Sequence, residues 1–202
     1  MPNAFEFAEP LGDLATYEPR AHKAPELDLA AFVEWLPRIG TVLWLHRPRR
    51  DNIFPRARLT GRGVLLLEHP DVAAFADATA IRAQSAVTPH GPREWLDIDA
   101  SGATIARLYL LPDTDYLAWD AMRAALDPSC SAAEPQRRWQ AHRTFMRCAF
   151  ARARSAWHAR VVRLPLLRLP CLQVLGARDV ETVSVLGRQR AAAIAMDEHA
   201  SM

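Results

Sequence analysis

Lysine, cysteine and long apolar runs are all scarce in this 202-residue chain. Three cysteines without metal-ligand spacing predict neither a disulfide framework nor a zinc site. The most apolar stretch, residues 161–176, contains arginines and prolines, so we expect no membrane span. The first residues are acidic and lack the apolar centre of a signal peptide, which favours a cytoplasmic protein.

The common nucleotide-binding and hydrolase motifs are also missing. The chain has no G-x-G-x-x-G, G-x-x-x-x-G-K-[ST], G-x-S-x-G or H-E-x-x-H sequence. A redox enzyme would need a bound reductant, and no flavin or nicotinamide motif is present. The sequence therefore leaves open whether the protein is an enzyme.

Charge is distributed unevenly along the chain. Residues 1–135 hold 13 basic and 19 acidic side chains, whereas residues 136–202 hold 12 basic and four acidic ones. No acid occurs between residues 136 and 178, which contain ten arginines. Lys23 is the one lysine beside 24 arginines, a bias typical of GC-rich genes, so abundant arginine does not by itself indicate phosphate binding.

This break in composition suggests three segments. Residues 1–26 lack periodicity and contain four prolines, which predicts a loose leader. Residues 27–128 alternate between helical and strand patterns and form the predicted domain. Residues 129–202 form an arginine-rich tail that we expect to be poorly ordered or helical.

The predicted domain has the order helix, two or three strands, helix, three strands, helix. Short turn signals between the strands favour an antiparallel β-sheet with flanking helices, an α+β fold. Apolar spacing predicts helices over 27–36 and 70–79 and a last helix ending at Leu126. The predicted strands cover 40–46, 53–59, 64–67, 81–87, 95–99 and 104–111.

Histidines and arginines at element ends are candidate binding residues. His46 ends a predicted strand and His69 precedes a predicted helix, and each is either a metal or haem ligand or an ordinary boundary histidine. Arg47, Arg49 and Arg50 form either an anion site or a solvated turn.

Two carboxylates alternate with apolar residues on one predicted strand. Asp97 and Asp99 would share one face of the sheet. They could act as a general acid and base, but a solvated strand face is the favoured interpretation. His90 lies in a proline- and glycine-rich loop, where we expect it to be exposed.

Three stretches carry a family resemblance. Residues 29–47 read LAAFVEWLPRIGTVLWLHR, residues 66–75 end in DVAAF, and residues 93–121 read REWLDIDASGATIARLYLLPDTDYLAWDA. In order and spacing they resemble the LPxLGxVxxLTRN, DLRLF and SLQFFDxxGxAxxKVYLxxxTDxxAWxAL passages of the HemS/ChuX haemin-utilisation family. The resemblance covers residues 27–126 and implies one of the two structural halves that such a protein normally has.

The resemblance implies cytoplasmic haem handling. Family members receive haem after uptake and pass it on or degrade it, and a histidine in a W-x-x-x-TDVH helix ligates the iron while an arginine of DLRLF assists. In this chain Trp139 matches, but Met146 stands at the histidine position and Ala73 at the arginine position. His142, one helical turn away, or Met146 is the candidate axial ligand. The candidate haem-binding residues are His69, Arg82, His142 and Met146.

A shifted reading frame would explain the tail. Residues 142–146 can be encoded by CAC CGG ACG TTC ATG, which in another frame contains codons for Pro-Asp-Val-His, close to the family's ligand motif. We therefore hypothesise that the chain after residue 128 is a frameshifted translation of a truncated haem-utilisation gene. Resequencing the gene would test this.

The sequence thus predicts a haem-binding, haem-utilisation protein that carries haem or assists its degradation for iron acquisition. An isolated half would expose a sheet face, so a homodimer is expected. One alternative is a binding module whose basic arm contacts nucleic acid or an anionic membrane, although nucleic acid is the less favoured partner. Another is a truncated relic without function.

Overall fold

The chain folds into two β-sheets with flanking helices. The computed structural model describes residues 28–47, 55–88, 90–126 and 157–202. The helices are α1 (Leu29–Val33), α2 (Leu36–Ile39), α3 (Tyr116–Leu126) and α4 (Val185–Asp197), with a 3-10 helix at Pro70–Ala76. The strands are β1 (Val42–His46), β2 (Arg56–Thr60), β3 (Gly63–Leu67), β4 (Ala80–Thr88), β5 (Gly91–Ala100), β6 (Ala103–Tyr109), β7 (His158–Arg163), β8 (Leu166–Leu169), β9 (Leu172–Leu175) and β10 (Arg178–Asp179).

The larger sheet has six strands in the order β10-β7-β1-β6-β5-β4, and all neighbours are antiparallel. The smaller sheet has the order β2-β3-β9-β8, in which β3 and β9 run parallel. The predicted α+β fold with an antiparallel sheet and flanking helices is confirmed. The parallel pair was not predicted, because its two strands are far apart in the chain.

The first predicted helix is split in two. Asp28 caps α1 by accepting a hydrogen bond from the backbone N–H of Ala31 at 3.0 Å. Pro37 has no N–H to donate, so it lies in the first turn of the separate helix α2 instead of continuing α1. Gly40 follows α2 with a positive φ of 74° and leads the chain into β1.

Hydrophobic cores lie on both faces of the six-stranded sheet. Because side chains alternate along β1, Val42 and Trp44 face one core and Leu43 and Leu45 face the other. The first core is shared with the helices α1 to α3, the 3-10 helix and the four-stranded sheet. The second is closed by α4, through Ala191, Ile194 and Ala195.

Residues 157–202 differ from the expected poorly ordered or helical tail, because two of their four strands pair with strands of the predicted domain. β7 pairs with β1 in the larger sheet, and β9 pairs with β3 in the smaller one. Val162 of β7 is fully buried, and Arg160 is neutralised by two carboxylates of the fold. Residues 157–202 therefore share both sheets with residues 27–126.

None of the helices in these described ranges has the length and apolarity that crossing a membrane requires. The predicted leader and residues 129–156 lie outside the described part of the chain.

Candidate functional site

Polar side chains gather where β1 ends beside β7 and the 3-10 helix. His46 is the last residue of β1 and pairs in register with His158 of β7. Arg160 lies two residues further along β7, so it projects from the same face as His158. Asp71, in the first turn of the 3-10 helix, contacts this face from above. We call these four residues the β1 cluster.

The Asp71 carboxylate is the centre of the β1 cluster. One oxygen, Oδ1, lies 3.3 Å from His46 Nε2, and the other, Oδ2, forms an ion pair with Arg160. Arg160 also binds both oxygens of Asp179 at 2.6 and 2.7 Å. Asp71 and His46 are only 6% and 7% exposed, so their interaction is shielded from water.

Aromatic packing positions the 3-10 helix over the sheet. The Trp44 indole Nε1 donates a 2.9 Å hydrogen bond to the backbone carbonyl of Asp71. The same indole stacks on Phe75, with ring centroids 5.2 Å apart. Both side chains are fully buried, so the position of the Asp71 backbone is set by the core and not by solvent.

The pKa of Asp71 lies below its ordinary value. Burial is the largest influence and raises it, but the hydrogen bond from His46 and the charges of His46, Arg160 and His69 together outweigh burial. The carboxylate is therefore ionised at neutral pH, and it can hold neighbouring imidazoles in a defined orientation.

His69 caps the 3-10 helix. Its Nδ1 accepts a hydrogen bond from the backbone N–H of Asp71 at 3.2 Å and lies 3.6 Å from Oδ2 of that residue. This hydrogen bond makes His69 the N-cap of the 3-10 helix. The structure thus gives His69 the role of a boundary histidine in this conformation.

His158 is the histidine of the cluster that the sequence analysis did not select. Its ring lies 6.1 Å from the His46 ring, and it is exposed to solvent. Only the register between β1 and β7 brings it here, so the single signal in the sequence was the apolar alternation of residues 158–163.

Of the four predicted haem-binding residues, the described part of the chain includes His69 and Arg82, and the structure does not bring these two together. Arg82 lies on β4 and donates to Asp99 at 2.7 Å. Two strands separate β4 from β1, which places Arg82 and His46 roughly 14 Å apart across the sheet. His142 and Met146 lie outside the described residues.

The predicted arginine turn is only partly described. Arg47 extends over the Trp157 ring, with its guanidinium carbon 4.9 Å from the ring centroid. Arg49 and Arg50 lie outside the described residues. Arg47 is exposed, and because Trp157 packs on the second core, Arg47 lies on the opposite face of the sheet from the β1 cluster.

Asp97 and Asp99 are not on a solvated strand face, which corrects the favoured interpretation. Both are buried, and they bind Arg107 and Arg82 respectively. Burial is the largest influence on Asp97 and raises its pKa, although the Arg107 charge opposes this. Their ion pairs hold neighbouring strands together, which explains the two carboxylates without an acid–base role.

The side chains of the β1 cluster are better suited to bind haem iron through one imidazole than to hold a metal ion by themselves. No group of three or more His, Cys, Asp or Glu side chains within the described ranges could hold a metal ion. Haem iron, in contrast, needs only one or two protein ligands, and an exposed imidazole such as His158 can supply one.

Neither a protein-family model nor a curated protein matches this sequence. The resemblance to the haemin-utilisation family therefore depends on the residues quoted above.

Proposed function

We propose that this protein is a cytoplasmic haem-binding protein of haem utilisation, and that His158 is an axial ligand. The observation that carries the proposal is the solvent-facing His158 imidazole beside the buried pair of His46 and Asp71. The three stretches within residues 27–126 that resemble the haemin-utilisation family support the same function. Bound haem would supply an iron centre with an axial position for an imidazole.

Each residue of the cluster has a distinct part in this proposal. His158 offers a ring nitrogen to the iron, because its ring is exposed. Asp71 and His46 form the buried pair beside it, and Arg160 neutralises the carboxylate.

A carrier role is favoured over catalysis. Oxidative degradation would require electrons from a reductant, and the sequence has no flavin or nicotinamide motif. A carrier needs only reversible ligation, which one exposed imidazole supports.

We also propose that two copies associate through the outer face of the four-stranded sheet. Register places only apolar side chains on this face of β3, β8 and β9. Leu59, Leu167 and Leu169 are 83%, 58% and 49% exposed. An apolar sheet face packs well against a second sheet, and a twofold axis would cover both faces at once. The residues are Leu59, Val64, Leu66, Leu167, Leu169, Leu172 and Val174.

A haemin titration followed by absorbance tests the haem proposal. We expect a saturable, shifted Soret band at one haem per chain or per dimer. His158→Ala should abolish the shift, whereas His90→Ala should not, because His90 lies in the turn between β4 and β5 at the far end of the sheet. Unshifted, non-saturating absorbance with the wild-type chain would overturn the proposal.

The same titration separates His158 from the ligands that the family resemblance implies. If His142→Ala or Met146→Ala removes the Soret shift while His158→Ala retains it, the axial ligand lies outside the β1 cluster. The basic-arm alternative makes a different prediction, namely polynucleotide binding that weakens steeply with salt. Haem binding by ligation should change little over the same salt range.

A further inference from the structure

Two arginines lie between β5 and α4, on the opposite side of the six-stranded sheet from the β1 cluster. Arg93 projects from β5 on the same face as Trp95, which packs on the core under α4. Arg190 belongs to α4, and its guanidinium lies over Gly91 at the start of β5. Gly91 and Arg93 are two residues apart, so the guanidiniums approach neighbouring positions on one strand face. We call them the arginine pair.

The arginine pair accounts for most of the unpaired buried polar atoms in the described residues. Those side-chain atoms are Arg93 Nε and Nη2, Arg190 Nη1 and Gln173 Oε1. Only 8% of the Arg93 side chain is exposed, so water does not compensate for the missing partners. A buried guanidinium with unpaired donors is costly, and a native fold normally supplies it with an acceptor.

The arrangement of donors on Arg93 is specific. Nη1 is used by Asp197, whose Oδ2 lies 2.7 Å away. The two unpaired atoms, Nε and Nη2, form the other edge of the planar guanidinium. That edge presents two parallel N–H groups, the geometry that binds two oxygens of one carboxylate or phosphate.

Charge also favours an anion. Arg93, Arg190 and Asp197 together carry one net positive charge. The Asp197 side chain is 48% exposed, so solvent reaches this acid at the end of α4, whereas the Nε and Nη2 atoms of Arg93 are buried behind it. Gly91 leaves room for the Arg190 guanidinium, because a Cβ at this position would come within 2.8 Å of Nη2.

We infer that the arginine pair binds a small oxyanion, a carboxylate or phosphate group, between β5 and α4. Arg93 would bind two of its oxygens through Nε and Nη2, and Arg190 would contribute Nη1. Asp197 positions Arg93 from the other side. The site is independent of the proposed haem site, because the two lie on opposite faces of the sheet.

Calorimetric titration of the full chain in chloride buffer tests this inference. The probes are inorganic phosphate and malonate at constant ionic strength, without haemin. We expect saturable binding of one of them at one site per chain. Arg93→Lys keeps the charge but removes the parallel Nε and Nη2 donors, so anion binding should weaken about tenfold or more. Arg190→Gln should also weaken it.

Arg188→Gln is the matched control, because Arg188 is exposed on the same helix. It should bind the anion as the wild type does, and so should His158→Ala. A preference for phosphate or malonate identifies the ligand class. Absence of saturable binding by the folded wild-type chain would overturn the inference. If Arg93→Lys does not fold, the test depends on Arg190→Gln. Unchanged anion binding by the folded Arg190→Gln chain would then overturn the inference.

Discussion

His46 and Asp71 form a buried hydrogen bond, with 3.3 Å between His46 Nε2 and Asp71 Oδ1. The pair joins the end of β1 to the first turn of the 3-10 helix. It lies beside His158 and Arg160, which come from a part of the chain whose composition suggested little order. The contact therefore connects the proposed haem site with the packing of β7.

Replacing the central carboxylate should destabilise the fold. We expect Asp71→Asn to lower the free energy of unfolding at pH 7 by about 3 kcal/mol, because it removes the buried carboxylate that contacts both His46 and Arg160. Urea unfolding measures this. Asp179→Asn is the control, since the Asp179 side chain is 69% exposed and should cost less than about 1 kcal/mol.

The effect of Asp71 should depend on pH. Its pKa in the folded chain lies below the value of about 3.9 expected in the unfolded chain. The contribution of Asp71 to the free energy of unfolding is therefore complete above about pH 4. It disappears as the pH falls through the lower pKa of the folded chain. The difference in the free energy of unfolding between the wild type and Asp71→Asn should decrease as the pH falls from 5 to 2. A constant difference over that range would contradict the assignment.

Tyr109 should make the fold sensitive to alkali. Burial raises its pKa, and the neighbouring Glu198 carboxylate raises it further. The unfolded chain ionises its tyrosines above about pH 10, whereas Tyr109 in the folded chain stays protonated, so stability falls as pH rises beyond 10. Tyr109→Phe should make this fall shallower in urea unfolding at pH 9, 10 and 11. If the free energy of unfolding falls equally with pH in both proteins, Tyr109 does not cause the loss of stability in alkali.

Glycine is required at position 63 but not at position 61. Gly63 has a φ of +117°, and a Cβ there would come within 2.3 Å of the Cys171 carbonyl oxygen. Gly63→Ala should therefore cost about 2 kcal/mol or more. Gly61 has open space around it, so Gly61→Ala should change stability by less than about 0.5 kcal/mol. Equal thermal midpoints for both variants would argue against the contact between the β2–β3 and β8–β9 turns.

Val162 tests whether β7 is part of the folded core. Val162→Ala should lower stability by about 2 kcal/mol, since the side chain is fully buried between β1 and β10. Val87→Ala is the matched control, because Val87 is 83% exposed and its loss should be nearly neutral. If Val162→Ala leaves the free energy of unfolding unchanged, β7 is not part of the folded core.

The proposed dimer predicts a concentration-dependent sedimentation coefficient. Leu167→Lys and Leu169→Lys place charges on the outer sheet face and should shift the wild-type dimer to monomer. Leu117→Lys is the control, because Leu117 is 83% exposed on α3 and away from this sheet. A wild-type chain that remains monomeric at all concentrations would rule out the dimer.

The order of elements between residues 27 and 126 could be predicted, because local signals determine it. Pro70 and Asp71 marked the start of the helix over the sheet, and apolar alternation marked the strands. The predicted helix at residues 70–79 is a 3-10 helix, Pro70–Ala76. Pro37 divides the first predicted helix into α1 and α2. The type and the ends of the helices were therefore predicted less accurately than their order.

The candidate site could be predicted only in part. His46 and His69 stood out because they flank predicted elements, and both contact Asp71. His158 did not stand out, because its position depends on the pairing of β7 with β1. The arginine pair was also missed, since the burial of Arg93 requires α4 to pack on the sheet.

The sequence by itself thus determined the fold class and the local elements of residues 27–126. Periodicity, prolines and turn residues act over a few positions, so they are visible without a structure. The tertiary structure decided where residues 157–202 lie and which charged side chains become buried. Strand register and the neutralisation of Arg160 by Asp71 depend on long-range contacts, and composition alone does not encode them.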